Sequence, residues 1–466
     1  MAHGFKKITP VNGFDKHDQD NAKQNNYAWS MEEFGDYLYV GTGRNIVYSV
    51  LQSGLIPGFQ VPETFVPKQL DMNAEIWRYK KDGSQTWQNV YKAPAELDIV
   101  GFRFMTTYTT PEGETALYAG CYTDGSNLII LKSLNGIDWI PLVTDINADS
   151  TRAMINHRGK LYMVALGEES TPIYVSSDPQ REGWQLACAA GDPEKNPRGH
   201  IVTMISYNGR IYVATAPVGG FEVWRTNGPT PETDDWTLVV DKGAGDALNE
   251  IPLTMGVFRY HLYVGTAISF AISSIDPEKN FIPPKPFDLI RIHPDDRWDV
   301  IVGGNPVVPT VPTTGRRNKG LYPSGFGDIS QGYCWQLKEY NNEFYLGTWN
   351  WSNLLLPLLS SLFETNRDFV KNLFNQVSDP RILKKLLNEY YLDPLLELLP
   401  SSLDSMVENF GFELWRSSTG KVWQPVTLDG MGNPCNYGLR NILPAGRRLY
   451  LGTANPFQGC EVWVKE

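Results

Sequence analysis

A strand-like segment built around a tyrosine recurs along the chain, at intervals of roughly 50 residues where no insertion separates the copies. Its residues alternate in character as those of a half-buried strand do, and most copies continue through glycine or alanine into threonine. The copies are YLYVGTG at 37, ALYAGCY at 116, KLYMVAL at 160, RIYVATA at 210, HLYVGTA at 261, EFYLGTW at 343 and RLYLGTA at 448. A repeat of this length predicts a fold assembled from one small unit used many times.

Each copy is embedded in a longer unit of strand-like segments. A further apolar segment follows it, as in FEVWRT at 221, and another precedes it, as in VTMISYN at 202. Six units continue through a turn into a tryptophan, namely Trp87, Trp139, Trp184, Trp236, Trp298 and Trp423. Seven units of four short strands predict an all-β fold, a seven-bladed β-propeller in which residues 1–466 form a single domain.

The two ends of the chain are predicted to meet in the last unit. That unit stops after its third strand, at CEVWVKE, whereas the N-terminal FKKITPV is similar to VWQPVTL, the fourth strand of the preceding unit. We therefore expect the N-terminal strand to complete the last blade and close the ring.

The turns between the third and fourth strands carry a second signature. SLNGIDW, SSTGKVW and KKDGSQTW resemble, in degenerate form, the Asp-box Ser-x-Asp-x-Gly-x-x-Trp of sialidase-like propellers. In that superfamily the box is a structural turn remote from the active site. The resemblance therefore implies the propeller fold and no particular chemistry.

Four segments are longer than the connections of the other units: 44–73, 268–287, 303–331 and 352–410. In a propeller all four emerge on one face, which we call the top face. The last begins with NLLLPLLSSLF and continues with apolar stripes at helical spacing, which predicts an α-helical insertion. Long loops in compact folds are usually functional, so these segments are expected to roof a top-face site. The same apolar surface would equally serve a homodimer interface, and both alternatives stay open.

One register of the innermost strands is expected to point into the top of the central channel. It lies ten residues before the signature tyrosine, allowing for a longer hairpin in the second unit, and holds Trp29, Arg103, Arg152, Val202, Leu253, Trp335 and Arg440. An arginine is costly to bury without a partner, so these arginines either pair with internal carboxylates or hold an anionic group of a ligand. Arg103 is a candidate catalytic residue, and the other arginines and the two tryptophans are candidate substrate-binding residues.

Further candidates come from the top-face loops. GFGDISQGYCW and GMGNPCNYGLR are similar, and GFDKHDQDNAKQNNYAW is a longer relative. Their hydroxyl and carboxyl groups are suited to proton transfer, which makes Tyr437 and Asp328 candidate catalytic residues. The remaining candidate substrate-binding residues are Tyr27, Tyr333, His200, Trp349 and Leu355.

Composition restricts the class of partner. The net charge of −11 and the lack of basic clusters argue against a nucleic-acid partner. Five widely spaced cysteines without a CxxC pair indicate neither a disulfide framework nor a zinc site, and no metal or cofactor motif is present. The N-terminus lacks a signal-peptide pattern and the leucine-rich stretch is too short to span a bilayer, so a soluble, cytoplasmic protein is expected.

Two classes of function fit these observations. The first is an enzyme that acts on a lipophilic or aromatic small molecule in a top-face central site. It is similar in theme to the cyanobacterial alkylating enzymes of cylindrocyclophane-type pathways, a resemblance that implies arginine and tyrosine assisting halide departure and an aspartate activating the aromatic partner. The second is a non-catalytic propeller whose top face binds a protein, a glycan or a lipid.

Overall fold

The structure, a computed structural model, describes residues 4–52, 67–123, 127–167, 171–188, 191–267, 285–318, 320–352 and 411–466. In these ranges the chain is built from antiparallel strands and two short α-helices, α1 (Gln19–Gln24) and α2 (Ile46–Gln52). The predicted all-β class is therefore confirmed. Among the described residues, no helix has the length and apolar character needed to cross a membrane.

Consecutive strands pair in antiparallel sets of four, and a short hairpin joins the first and second strands of each set. Set one contains β2 (Asn25–Phe34), β3 (Tyr37–Arg44), β4 (Glu75–Lys80) and β5 (Gln88–Lys92). Set two contains β6 (Ile99–Thr109), β7 (Thr115–Thr123), β8 (Asn127–Ser133) and β9 (Ile140–Asn147). Set three contains β10 (Ser150–His157), β11 (Lys160–Leu166), β12 (Ile173–Ser176) and β13 (Gln185–Cys188).

The second half of the chain repeats this pattern. Set four contains β14 (His200–Tyr207), β15 (Arg210–Ala216), β16 (Glu222–Thr226) and β17 (Trp236–Val240). Set five contains β18 (Ile251–Phe258), β19 (His261–Ala267), β20 (Leu289–Ile292) and β21 (Trp298–Val302). Set six contains β22 (Gln331–Tyr340), β23 (Glu343–Asn350), β24 (Leu414–Ser417) and β25 (Gln424–Thr427). Set seven contains β26 (Gly438–Ala445), β27 (Arg448–Ala454), β28 (Val462–Lys465) and the N-terminal β1 (Phe5–Lys7), which pairs with β28.

The first strands of the sets lie side by side. Each contacts the first strand of the next set along the chain, and β26 of set seven contacts β2 of set one. Hydrophobic clusters fill the space between neighbouring sets; one of them combines Tyr39 and Ile76 of set one with Phe102 and Leu131 of set two. This arrangement brings the starts of the first strands together at one end of the molecule.

The tyrosine of the recurring segment is held by the turn of the following set. In set two, Ser133 Oγ accepts a hydrogen bond from the backbone N–H of Gly136 (2.8 Å), and a Cβ at Gly136 would overlap the ring of Tyr39. In set six, the same geometry joins Ser417 and Gly420 (2.8 Å). Glycine suits this turn because its backbone has a positive φ of 73°. The likeness of these turns to an Asp-box stays a resemblance.

Two of the predicted long loops are described in large part. Segment 44–73 opens with α2, and segment 303–331 is fixed against the loop that joins sets four and five. There the carboxylate of Asp246 accepts the backbone N–H groups of Val307 and Val308 (2.7 and 3.1 Å). Most of segment 268–287 and nearly all of 352–410, including the predicted helices and Leu355, lie outside the described residues.

Candidate binding site at the bulge ring

The first strand of every set contains a β-bulge at the same register. One residue has no partner on the second strand, and these residues are Trp29, Arg103, Arg152, Val202, Leu253, Trp335 and Arg440. They are the seven residues that the sequence register groups together. A bulge leaves its extra residue outside the ladder and re-aims the side chain, which is why bulges recur beside functional sites. We call these seven residues the bulge ring.

Aromatic side chains pack around one side of the bulge ring. The ring of Tyr27 meets the indoles of Trp29 and Trp335 edge-on, with centroids 5.8 Å apart in both cases. Tyr333 stacks on Trp349 at 4.2 Å and 29°. With Tyr437, these residues form one largely buried aromatic cluster. Edge-to-face and stacked pairs at these distances add to the stabilisation from burial itself.

Two glycines allow the indoles to lie flat against backbone. A Cβ at Gly101 would overlap Trp29, and a Cβ at Gly438 would overlap Trp335. Both glycines lie at or near the start of the first strand of one set and pair with the second strand of the preceding set, Gly101 with Gly43 and Gly438 with Trp349. The tryptophans therefore cover the junctions between neighbouring sets.

The hydroxyl groups of Tyr27 and Tyr437 form a short hydrogen bond with each other. Burial raises the pKa of both phenols above their usual value, and burial raises the pKa of Tyr333 to about 12. All three are therefore neutral at pH 7. Neutral phenols can donate a hydrogen bond or a proton, whereas a tyrosinate base is disfavoured here.

The arginines of the bulge ring contact aromatic faces. The guanidinium carbon of Arg103 lies 4.9 Å from the ring centre of Trp29 and 4.6 Å from that of Tyr122. That of Arg440 lies 5.3 Å from the ring centre of Trp335. Buried cation–π contacts of this kind are worth roughly 1–2 kcal/mol each.

The guanidinium groups of the three bulge-ring arginines are not matched by a carboxylate in the described part of the chain. Among the described residues, neither Arg103 nor Arg152 nor Arg440 forms an ion pair, and the buried Nη1 of Arg103 and Nε of Arg440 have no acceptor. Burial lowers the pKa of Arg103 to about 9 and of Arg440 to about 10, and repulsion from Arg152 adds to the shift in both cases. Burial also lowers the pKa of Arg152. The groups stay charged at pH 7, so the site is cationic.

Asp328 lies in a recurring turn away from these contacts. In segments 243–246, 325–328 and 430–433, a glycine and the residue after it both have positive φ, as in Gly325 (58°) and Phe326 (54°). The carboxylate of Asp328 accepts the backbone N–H of Ser330 at 2.8 Å, and Asn433 does the same for Cys435 at 3.1 Å. This geometry explains why Asp328 suits the turn. Its catalytic role stays a prediction.

Of the other predicted residues, Tyr27, Trp29, Trp335, Tyr333, Trp349 and Tyr437 share the aromatic cluster, and Arg103 and Arg440 contact it. The positive charge of Arg152 lowers the pKa of both Arg103 and Arg440 by repulsion. His200 begins β14, and its Nδ1 is buried without a hydrogen-bond partner; no contact joins it to the aromatic cluster within the described part of the chain.

The sequence pattern did not predict Tyr122 or the loop residues that pack against the aromatic cluster. Tyr122 stands four residues after its signature tyrosine, as Trp349 does, so the register that places Trp349 also indicates Tyr122. Ile46 and Val47 of α2, Trp351 and Phe457 pack on the same cluster. They come from three different loops, which no strand register relates to each other. No group of three or more His, Cys, Asp or Glu side chains in the described ranges is placed to hold a metal ion.

No protein-family model matches the chain, and no curated protein matches it. Solved structures that resemble it include the acylaminoacyl peptidase of Pyrococcus horikoshii, with 9% identity and a TM-score of 0.40 over 93% of this chain and 50% of that one. A second is a prolyl endopeptidase, with 10% identity and a TM-score of 0.41 over 91% and 46% of the two chains. The β-propeller domain of the Trilobed protease from Pyrococcus furiosus gives 7% identity and a TM-score of 0.43 over 94% of both chains. The chain thus spans about half the length of the two peptidases, and at these scores the likeness says nothing about its activity.

Proposed function

We propose that the chain is a seven-bladed β-propeller closed by its N-terminal strand, and that it is an enzyme acting on an aromatic or lipophilic small molecule bound at the bulge ring. The pairing of β1 with β28 and the contact of β26 with β2 support the closed ring. The site lies where the first strands converge and is roofed by α2, Trp351 and Phe457.

The observation that carries the proposal is the aromatic cluster with charged groups beside it. Trp29, Trp335 and Trp349 present flat apolar surfaces, while the Tyr27–Tyr437 pair offers neutral hydroxyls close enough to Arg440 to act on its charge. Apolar walls with a few convergent polar groups are typical of small-molecule sites. The chemistry that fits is hydrogen-bond donation by a tyrosine to a group that becomes negative, with an arginine stabilising that charge. Departure of a halide from an alkylating substrate would be one such step: the carbon–halogen bond breaks as a nucleophilic carbon of an aromatic partner bonds to the same carbon, and the halide leaves as an anion.

The neutral probe N-phenyl-1-naphthylamine tests binding at this site. We expect saturable binding at one site per chain, observed as probe fluorescence, and at least tenfold weaker binding in Trp335→Ala. Tyr260→Ala is the control, because Tyr260 is an exposed aromatic residue far along β18–β19 from the cluster. Trp335→Phe, which keeps an aromatic ring, should retain most of the affinity.

Absence of saturable binding in the wild-type chain, or equal affinity in Trp335→Ala and wild type, would contradict the proposal. Circular dichroism melts establish that each variant is folded. Mass spectrometry of small molecules that co-purify with the wild type, and that are lost in folded Trp335→Ala, would identify the natural ligand.

A second candidate function is a partner-binding top face. Segment 303–331 holds apolar side chains in solvent, including Val307, Val311 and Leu321, although its backbone is fixed by hydrogen bonds. Ordered and exposed apolar residues are typical of contact surfaces. Light scattering of wild type and Val311→Glu separates the two functions: an oligomer that Val311→Glu dissociates supports the surface, and a monomer in both removes a homodimer from consideration.

A further inference from the structure

Charge is distributed unevenly around the bulge ring. Sets two and three, which are neighbours, contribute Arg103 and Arg152, and set seven contributes Arg440. Trp29 of set one lies between set seven and set two, and its ring contacts Arg103. One arc of the bulge ring therefore carries three positive charges.

The opposite arc of the bulge ring carries no positive charge. Sets four and five contribute Val202 and Leu253, and set six contributes Trp335. Leu253 packs against the aromatic cluster, so this arc is continuous with the apolar surface of Trp335 and Trp349. In the proposed closed ring, the two arcs would face each other across the space that the first strands surround.

Two other arginines that the structure describes as buried, Arg44 and Arg291, are paired with carboxylates. Arg44 donates to Asn25 Oδ1 at 2.9 Å and lies 3.6 Å from Glu75, and Arg291 forms an ion pair with Asp299. The fold thus supplies carboxylates to guanidinium groups that serve only structure. The arginines of the bulge ring break this pattern.

The groups that face these arginines are mainly neutral. The protonated form of Arg152 is favoured by the nearby hydroxyls of Tyr333 and Tyr122. Tyr27 and Tyr437 have the same effect on Arg440. The carboxylate of Asp149 favours the protonated form of Arg103, against the opposing effects of burial, Arg152 and Arg440. An unpaired buried charge destabilises the folded state, and a cluster of three does so more because the charges repel.

We infer that the ligand is an amphiphilic anion, whose carboxylate, sulfonate or phosphate group is bound by Arg103, Arg152 and Arg440 and whose aromatic or aliphatic body lies against Leu253, Val202 and Trp335. Guanidinium groups bind such oxyanions in bidentate geometry, and an oxyanion would fill the vacant donors of Arg103 and Arg440. This inference rests on the proposed function, since it names the class of molecule that the same site accepts.

A matched pair of probes tests the inference apart from the proposed function. 1-Anilinonaphthalene-8-sulfonate has nearly the same body as N-phenyl-1-naphthylamine and adds one sulfonate. We expect the sulfonate to bind at least tenfold more tightly at low salt, and its affinity to fall as sodium chloride is raised. Arg152→Gln should weaken the sulfonate at least tenfold and change the affinity of the neutral probe less than twofold.

Arg297→Gln is the matched control, because it removes the same charge from a side chain that is 71% exposed. Arg152→Gln should melt at the wild-type temperature or above, since it removes an unpaired charge, and Arg440→Gln gives an independent second variant. Two results would overturn the inference: equal affinity of the wild type for the two probes, or an affinity for the sulfonate that neither Arg152→Gln nor Arg440→Gln changes. In either case, saturable binding of the neutral probe would still support the proposed function. Failure of both probes to bind would overturn both.

Discussion

At the scale of single residues, the repeated sets allow one side chain to be judged against its counterparts. Glu75, Glu413 and Glu461 occupy the same position at the start of a third strand, and each accepts a hydrogen bond from a tryptophan two residues on. Glu461 also accepts Asn436 Nδ2 (2.8 Å) and pairs with Lys7 (2.9 Å). Glu413 has no counterpart of these two partners. The position that Asn436 holds in set seven is occupied in set six by Gln331, whose side-chain amide donates to Asp328.

Glu413→Gln is therefore expected to stabilise the protein in a pH-dependent way. Burial, followed by repulsion from Asp328, raises the pKa of Glu413 to about 8. When the pKa of a carboxyl group is higher in the folded than in the unfolded protein, the group contributes its full stability below the unfolded pKa. That contribution is lost as the pH rises through the folded pKa. The gain in melting temperature from Glu413→Gln should be small at pH 5 and should grow until about pH 8, as measured by thermal melts across that range.

Glu461→Gln is the control of opposite sign. Burial alone would raise the pKa of Glu461, but hydrogen bonds from Asn436 and Lys7 lower it. Its ionised form therefore stabilises the fold above the unfolded pKa, so Glu461→Gln should lower the melting temperature at pH 7 and do so less in acid. A Glu413→Gln variant that also loses stability at pH 7 would contradict the prediction, because it would show that the ionised form of Glu413 stabilises the fold as that of Glu461 does.

At the scale of elements, the bulged first strand positions the site. The bulge ring depends on a strand that departs from regular pairing at one residue, and on glycines where the next set begins. The aromatic cluster also requires loops, since α2 places Val47 against it. The buried Arg44, which bonds to Asn25 Oδ1 and the carbonyl of Asp71, fixes the entry to α2.

Gly438→Ala should disturb this element and the site together. The added Cβ would overlap Trp335, and the strand pairing with Trp349 prevents the backbone from moving away. We expect a loss of about 1–3 kcal/mol in the free energy of unfolding, measured by urea denaturation, and weaker binding of N-phenyl-1-naphthylamine. Gly228→Ala is the control, because a Cβ there meets no atom closer than 3.8 Å. Unchanged probe affinity in Gly438→Ala would contradict the placement of Trp335 in the site.

At the scale of the whole molecule, both ends of the chain contribute to set seven. β1 pairs with β28 over Phe5–Lys7, and Phe5 is buried with Leu449, Leu451 and Tyr345. In the proposed closed ring, the N-terminal strand would hold the first and last parts of the chain together. The stability of the whole domain would then depend on a contact between its most distant residues.

Phe5→Ala tests this dependence. Truncating a buried phenylalanine costs about 3–5 kcal/mol, and we expect the entire unfolding transition to shift to lower urea rather than to split. Lys6→Ala, at the exposed neighbouring position, should leave the midpoint unchanged. An early separate transition in Phe5→Ala would indicate that set seven opens on its own and that the ring is not one cooperative unit.

The strand pattern and the register of the bulge ring could be predicted from the sequence, because both depend on local periodicity. The register recovered Trp29 and Arg440 although they are more than four hundred residues apart. It did not recover Val47 or Phe457, whose positions are set by loop geometry. It grouped Asp328 with the tyrosines because their loops are similar; the structure adds that this carboxylate accepts the backbone N–H of Ser330, and its catalytic role stays a prediction.

By itself, the sequence determined the repeating unit, the all-β class and the residues that share one register, since alternation and repeat length act through neighbouring residues. Only the tertiary structure decided which of these residues meet. The Tyr27–Tyr437 hydrogen bond, the contacts of Arg103 with the rings of Trp29 and Tyr122, and the lack of an ion pair between Arg152 and any described carboxylate all depend on side chains from different sets. Such contacts are fixed by how the sets pack around the first strands, and no local pattern records that packing.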